Sequence, residues 1–323
     1  PLPGDTLRTI TLTGDHTVSG NVKLYGGDVD PQGTYAATGQ GEILFKALRD
    51  VETDNAARNF TTQGGDITFW SDADATGGGA IFIAGASRIR SNGGDITFAG
   101  GLDNGSSTAL GTRASGDDRP DGFAVGRVKY GIQLGTQSTV QSIQVLSGGG
   151  NIYMAGQGAP SSDYRSGITL VSGVTDAGTG KVQMHGRLDA TSTTVNQRGI
   201  IFGYAGGDIA VLSSNSASDA IVIRGDASMA SGGLCPGIEV YETTNPNLLI
   251  ANEGAGGVRI IGDGCTEDGI ALSHASVLAP SGDIRLEGST KTSASTVWGI
   301  YLNRKNGSGL AGDAKASECP LPV

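Results

Sequence analysis

The chain has 323 residues, of which 55 are glycine, and only 17% are charged, where about 25% is usual for soluble domains. The formal net charge of −10 argues against a nucleic-acid-binding protein, because such proteins need clustered Lys and Arg side chains. No stretch is long and apolar enough to span a membrane as a helix. Amphipathic helical stretches are too rare for a helical bundle or a coiled coil.

Residues 42–58 form the first segment with a recognisable pattern, and it has two interpretations. The apolar residues from Ile43 to Val51 lie at near-helical spacing, which favours a helix. The leading Gly41, followed by Glu-Ile-Leu-Phe, favours a short strand instead. The sequence leaves both interpretations open.

The phrase Gly-Asp-Ile-Thr-Phe is the clearest repeat in the chain. It occurs identically at 65–69 and 94–98, and looser copies recur 26–30 residues apart or at about twice that distance. We expect a degenerate copy inside each long interval, which gives a period of about 25–30 residues. The looser copies begin at Gly150, Gly180, Gly207, Gly256 and Gly282.

A second phrase, Gly-Ile-x-Leu or a close variant, runs in step with the first. The alternation of apolar and polar residues in both phrases is typical of short strands. Copies of the second phrase begin at Ala80, Gly131, Gly167, Gly199, Ala220, Gly237, Gly269 and Gly299. Residues 101–122, which are rich in Gly, Ser and Asp, and residues 303–319 are predicted to be loops.

Stacking of these units determines the predicted fold, because three or four short strands cannot bury their apolar face alone. Parallel stacking predicts two interior ladders for the first phrase. One contains Ile67, Ile96, Ile152, Val182, Ile209, Val258 and Ile284, and the other contains Phe69, Phe98, Met154, Met184, Val211, Ile260 and Leu286.

The predicted fold class is therefore all-β, a right-handed parallel β-helix (β-solenoid) with about 25–30 residues per coil. A β-sandwich or a propeller is the alternative fold. A propeller is disfavoured because its antiparallel blades need about 40–45 residues each, and the Asn-Gly pairs typical of antiparallel hairpins are few. We expect residues 1–323 to form a single β-solenoid domain, as a segment of a longer surface protein.

The same stacking predicts how the three cysteines are paired. Cys235 and Cys265 lie 30 residues apart at nearly equivalent corners, and adjacent coils are about 4.8 Å apart, within disulfide range. The sequence therefore predicts a disulfide and an oxidising compartment, with two free buried thiols as the alternative. Cys319 is left over, and we expect a free thiol or an intermolecular one.

Acidic residues on glycine-rich loops give three candidate calcium sites, although solvated turns explain them as well, and no other cofactor is expected. The candidates are Asp28 with Asp30, Asp72 with Asp74, and Asp117 with Asp118 and Asp121. The aspartates in the first phrase are expected to form an outward polar ladder, without a catalytic role. These are Asp66, Asp95, Asp208 and Asp283.

Arg224-Gly225-Asp226 is the tripeptide that some adhesins present to integrins. It follows directly on a predicted strand, so a corner turn explains it as well.

The phrases GGDITF, GIxL and GGDIAVLS, spread over most of the chain, resemble those of filamentous haemagglutinin-type exoproteins. That resemblance implies a β-helical shaft of a large bacterial surface adhesin exported by two-partner secretion. The segment 245–248, Asn-Pro-Asn-Leu, looks like a phrase of that family's secretion domain. It lies late in this chain and is interpreted as a turn.

Three classes of function follow. The first is a non-catalytic structural or adhesive segment of a secreted bacterial surface filament, which associates end to end, mediates attachment and has no deep cleft. The second is a module that binds glycans or a host receptor, and it predicts exposed aromatic residues on one face. The third is a polysaccharide lyase or hydrolase, which needs a groove where Asp and Lys or Arg converge.

Overall fold

The computed structural model describes residues 8–53, 56–105, 116–127, 129–137, 140–159, 165–189, 196–204, 206–230, 233–241, 246–291, 297–303 and 309–316. These residues form a parallel β-helix of short strands. The predicted fold class is confirmed, while its right-handed sense stays a prediction. No helix occurs among the described residues, and therefore none that could cross a membrane.

Each coil contributes one strand to a ten-stranded parallel sheet, which we call face A. Face A contains β1 (Thr9–Thr13), β4 (Asp28–Gln32), β7 (Val51–Glu52), β10 (Ile81–Ile83), β14 (Tyr130–Leu134), β17 (Arg165–Leu170), β20 (Gln197–Phe202), β23 (Ile238–Val240), β26 (Ile270–Ser273) and β28 (Ile300–Asn303).

The other strands form two further faces, B and C, which are joined into one sheet. Face B contains β2 (His16–Val18), β5 (Thr34–Ala37), β8 (Asn59–Thr61), β11 (Arg88–Arg90), β15 (Ile143–Leu146), β18 (Gly173–Asp176), β21 (Ile209–Ser213) and β24 (Leu248–Asn252). Face C contains β3 (Val22–Gly26), β6 (Ile43–Ala47), β9 (Ile67–Ser71), β12 (Ile96–Gly100), β13 (Ala124–Val125), β16 (Ile152–Gln157), β19 (Val182–Arg187), β22 (Ile221–Asp226) and β25 (Val258–Gly264). In the last two coils β27 (Ala275–Thr290) and β29 (Gly309–Ala316) serve both faces.

The interior ladders are confirmed except at one coil. Ile209 and Val211 belong to face B, where Ile209 pairs with Leu248. Their expected places on face C are taken by Ile221 and Ile223, which pair with β19 and β25. Both phrases have the form Ile-x-apolar, so the side-chain pattern alone could not assign them to a face.

The longest interval between repeats is one enlarged coil. Ile96 pairs directly with Ile152 across 56 residues, so the expected degenerate copy between them does not exist. The described parts of the predicted loop 101–122 contain no strand, and this insertion supplies the extra length.

Two further expectations are settled by backbone pairing. Within 42–58 the structure has the strands β6 and β7, and β6 pairs with both β3 and β9. The segment 303–319 was expected to be a loop, and this is wrong for β29, which pairs with β27. Its small and polar residues lack a strand-like pattern, and the preceding coil provides the hydrogen-bonding partner.

The Gly-Asp start of the first phrase has a structural reason at the corner between faces B and C. A Cβ atom added at Gly94 would lie 2.2 Å from the carbonyl oxygen of Gly65 in the coil before it. Beside it, Asp66 Oδ1 accepts the backbone N–H of Asp95 at 2.8 Å, and Asp95 Oδ1 accepts that of Asn151 at 2.8 Å. The outward ladder is thus confirmed at Asp66 and Asp95, where each side chain accepts a hydrogen bond from a backbone N–H of the next coil.

The predicted disulfide is confirmed. Cys235 and Cys265 are bonded, with their Cα atoms 5.5 Å apart, and both side chains are buried. They pack with Leu188, Ala227 and Ala230 in an apolar cluster separate from the main core.

Candidate functional site

A groove of about 930 Å³ opens on face A, over the coils of β7, β10 and β14. Its floor contains the outward side chains of Glu52, Phe82 and Gln133, which occupy the same register position in three consecutive coils. Tyr130 lines the groove at the start of β14, and its hydroxyl accepts a hydrogen bond from Gln137 Nε2 at 2.6 Å. The floor therefore combines an aromatic ring with acidic and amide groups.

Two loops that leave the regular coils build the wall of the groove. The turn 72–79 and the segment 125–127 meet where the backbone N–H of Gly79 donates to the carbonyl oxygen of Val125 at 2.7 Å. Residue 79 must be glycine, because an added Cβ would lie 2.0 Å from the carbonyl oxygen of Arg49. Close backbone packing thus fixes the position of this wall.

The segment 116–127, which we call the strap, is held across face C before it reaches the groove. Arg119 pairs with Asp66 and with Asp95 in two consecutive coils. Further along, the ring of Phe123 packs edge-on against His185, with 4.9 Å between ring centroids, and lies under the guanidinium of Arg187. These contacts place the groove-lining residues that follow the strap.

Charged groups in the groove are partly paired. Asp50 Oδ2 accepts from the Arg127 guanidinium at 3.0 Å, and its Oδ1 accepts the backbone N–H of Ala80 at 2.8 Å. Desolvation raises the pKa of Glu52, and the nearby carboxylates of Asp50, Asp30 and Asp28 raise it further.

Asp72 has the most perturbed carboxyl group in the groove wall. The residue is only 4% exposed, and its Oδ1 is buried with no hydrogen-bond partner among the described residues. Desolvation, with a smaller effect from Asp74, raises the pKa of Asp72 to about 6. Its backbone also has a positive φ of 49°, a conformation that asparagine adopts more readily than most residues.

We expect Asp72→Asn to stabilise the protein at neutral and higher pH. The pKa of about 6 lies above the ordinary 3.8, so the folded state binds the proton more tightly than the unfolded state. Stability therefore falls as the pH rises from about 4 to about 6, and is constant above that range. Asp72→Asn removes this loss. Its free energy of unfolding, measured with urea, should exceed that of the unmodified protein by about 2 kcal/mol at about pH 8 and by almost nothing at about pH 4.

The matched control is Asp74→Asn in the same turn, whose side chain accepts the N–H of Thr76 at 3.1 Å. This variant should keep the pH-dependent step and move it to slightly lower pH, since Asp74 raises the pKa of Asp72. Equal pH profiles for Asp72→Asn and the unmodified protein would contradict the assignment.

Protein donors already occupy the candidate calcium ligands of the first pair and of the strap. Asp28 pairs with Arg49, and Asp30 accepts from Gln32 Nε2 at 2.6 Å. Asp118 pairs with Lys23 and Lys46, each at 3.4 Å.

The other strap carboxylates accept backbone N–H groups. Asp117 accepts from Arg119 at 3.1 Å, and Asp121 accepts from Asn104 and Gly105 at 2.9 and 2.6 Å. Within the described part of the chain, no three His, Cys, Asp or Glu residues are placed to share a metal ion.

The Arg-Gly-Asp tripeptide lies on strand β22, so a corner turn does not account for it. Arg224 is 3.9 Å from Asp226 and 3.7 Å from Asp263, so both of its charged side chains interact with the protein itself. The thiol of Cys319 lies outside the described residues.

The Asn-Pro-Asn-Leu segment runs into β24, whose first residue is Leu248, and its own first residue lies outside the described residues. Asn247 donates from its backbone N–H and from Nδ2 to Asp208 Oδ1, at 3.1 and 2.9 Å. This contact repeats the one that joins Asp66 to Asp95 in neighbouring coils, and the interpretation of the segment as a turn stays a prediction.

Sequence reasoning missed most of the groove and identified only Asp72 among its residues. Phe82 and Gln133 stand at the variable position of the second phrase, which a period-two pattern places on the outside. The available signal was the pair of departures from the repeat, at 72–79 and 116–130, which enter the same side of neighbouring coils. The chain matches no protein-family model, and no curated protein or solved structure shows significant similarity to it.

Proposed function

We propose that the chain is a non-catalytic structural and adhesive segment of a secreted bacterial surface protein of the filamentous haemagglutinin type. In this proposal the coil stack is a rigid shaft, and the groove on face A makes the adhesive contact by binding a glycan. The observation that carries the proposal is the groove itself, where Phe82 and Tyr130 lie among acidic, basic and amide side chains on a regular coil scaffold.

Other features support parts of this proposal. The disulfide between Cys235 and Cys265 suits an oxidising compartment, and hence secretion. The first coil leaves Ile10 and Val18 more than a third exposed. Among the described residues the strands of this coil, β1 and β2, pair only with β4 and β5, and in this proposal a second copy or a neighbouring segment covers their other side by end-to-end association.

The groove changes the leading expectation from the sequence, which assumed a shaft without a deep cleft. In this proposal the shaft therefore has a defined lateral contact surface.

To test the adhesive function, beads coated with the oxidised chain are applied to glycan-coated surfaces and competed with soluble chain. We expect adhesion that soluble chain abolishes and Phe82→Ala weakens; adhesion to no glycan surface would refute the proposal.

A polysaccharide-acting enzyme is the second candidate, and the same groove favours it. Glu52 and Asp72 line the groove together with Arg127 and Lys129, which is the convergence that this class requires. The raised pKa of Asp72, about 6, lies in the range of a general acid near neutral pH.

Product analysis separates the two candidates. Neutral and uronate-containing polysaccharides are incubated with the chain and assayed for new reducing ends and for unsaturated products. The adhesive function predicts neither. Products that disappear in Asp72→Asn and Glu52→Gln would establish the enzyme instead.

A further inference from the structure

The floor of the groove offers a row of contacts parallel to the axis of the coil stack. Glu52, Phe82 and Gln133 follow one another across three coils, with about 4.8 Å from one coil to the next. An extended sugar chain matches such a row, since apolar sugar faces pack on aromatic rings and hydroxyl groups donate to carboxylates and amides.

The charge around this row selects against acidic sugars. Asp50 and Arg127 neutralise each other, which leaves Glu52 and Asp72 against Lys129 among the charged lining residues. Toward β4 the same face continues with Asp30, whose carboxylate acts electrostatically on Glu52, while Asp28 pairs with Arg49. A uronate chain placed along face A would therefore meet carboxylates of its own sign.

We infer that the groove binds an uncharged oligosaccharide, which packs on Phe82 and Tyr130, donates hydroxyl hydrogen bonds to Glu52, and is preferred over uronate-containing chains. This inference rests on the proposed adhesive function and specifies its ligand class.

The test measures the affinity of the intact, oxidised chain for two sets of hexasaccharides. The uncharged set contains cello-, xylo-, manno- and malto-hexaose, and the acidic set contains hexagalacturonate and hexaguluronate. We expect at least one uncharged sugar to bind with an affinity that is nearly the same at low and high salt, because no net charge is neutralised on binding. Both acidic sugars should bind at least about tenfold more weakly.

Two variants place this binding in the groove. Phe82→Ala should lower the affinity for the uncharged sugar by about tenfold or more, as expected for an aromatic anchor. Its matched control is Tyr301→Ala, which removes an aromatic ring from the same outward register position of face A, on β28, and should leave the affinity unchanged. Glu52→Lys should strengthen binding of hexagalacturonate by about tenfold, since it replaces a repulsive charge with an attractive one.

The outcomes distinguish the inference from the function on which it depends. Binding of acidic sugars alone, or binding of uncharged sugars that Phe82→Ala leaves intact, would overturn the inference while glycan adhesion stands. Binding of neither set, together with no adhesion to any glycan surface, would overturn both. Circular dichroism of each variant confirms that the coils are retained.

Discussion

Gly94→Ala is expected to destabilise the protein by about 3 kcal/mol or more, at the upper end of overpacking effects. The added methyl group would lie 2.2 Å from the Gly65 carbonyl oxygen and 2.8 Å from that of Gly64. These are backbone atoms of the adjoining coil, so no side-chain rotation relieves the contact. The coils would have to separate at a point where Asp66 also joins them through the N–H of Asp95. Urea unfolding followed by circular dichroism measures the loss.

Gly20→Ala is the matched control for this prediction. Gly20 takes the corresponding corner of the first coil, where an added Cβ meets nothing within 4 Å among the described residues. The same substitution there should change stability by less than about 1 kcal/mol. Equal effects at the two positions would show that close packing between coils is not the reason why this corner needs glycine.

Removal of the disulfide by Cys235→Ala with Cys265→Ala should lower stability by about 3–4 kcal/mol, because the bond closes a loop of about thirty residues in the unfolded chain. The double variant keeps small apolar side chains in the cluster with Leu188, Ala227 and Ala230. The loss of the covalent link therefore dominates the change. The midpoint of urea unfolding under oxidising conditions reports it.

Reductant provides the control for the disulfide prediction. It should lower the stability of the unmodified chain to nearly that of the double variant and leave the double variant unchanged. A double variant as stable as the oxidised chain would contradict a role for this bond in holding the coils of β22 to β26 together.

The fold was largely predictable because stacking requires apolar residues at the same inward positions in each coil. Ile67 and Ile96 pair in register with identical neighbours, and identical phrases in successive coils show this directly in the sequence. The predicted face of a strand is wrong where the same sequence pattern fits two faces of the β-helix. Ile209 and Ile221 have equivalent local patterns, and their faces are decided by coil length, which insertions change.

The groove was much less predictable, because it depends on departures from the repeat. Phe82 has the same sequence context as other outward residues at its register position, such as Glu239 and Ala271. What sets it apart is the wall beside it, formed where Gly79 and Val125 meet across 46 residues of sequence. Such a meeting follows from the path of the strap over face C and leaves no periodic signal.

The most direct test of the account is hydrogen exchange of the oxidised chain, with and without the uncharged hexasaccharide that binds most tightly. The account predicts slower amide exchange on binding in the segments 76–83 and 129–134, which contain Phe82 and Tyr130, with no change in β24 or β25. Protection confined to other coils, or no protection at a saturating sugar concentration, would contradict the assignment of the groove as the adhesive surface.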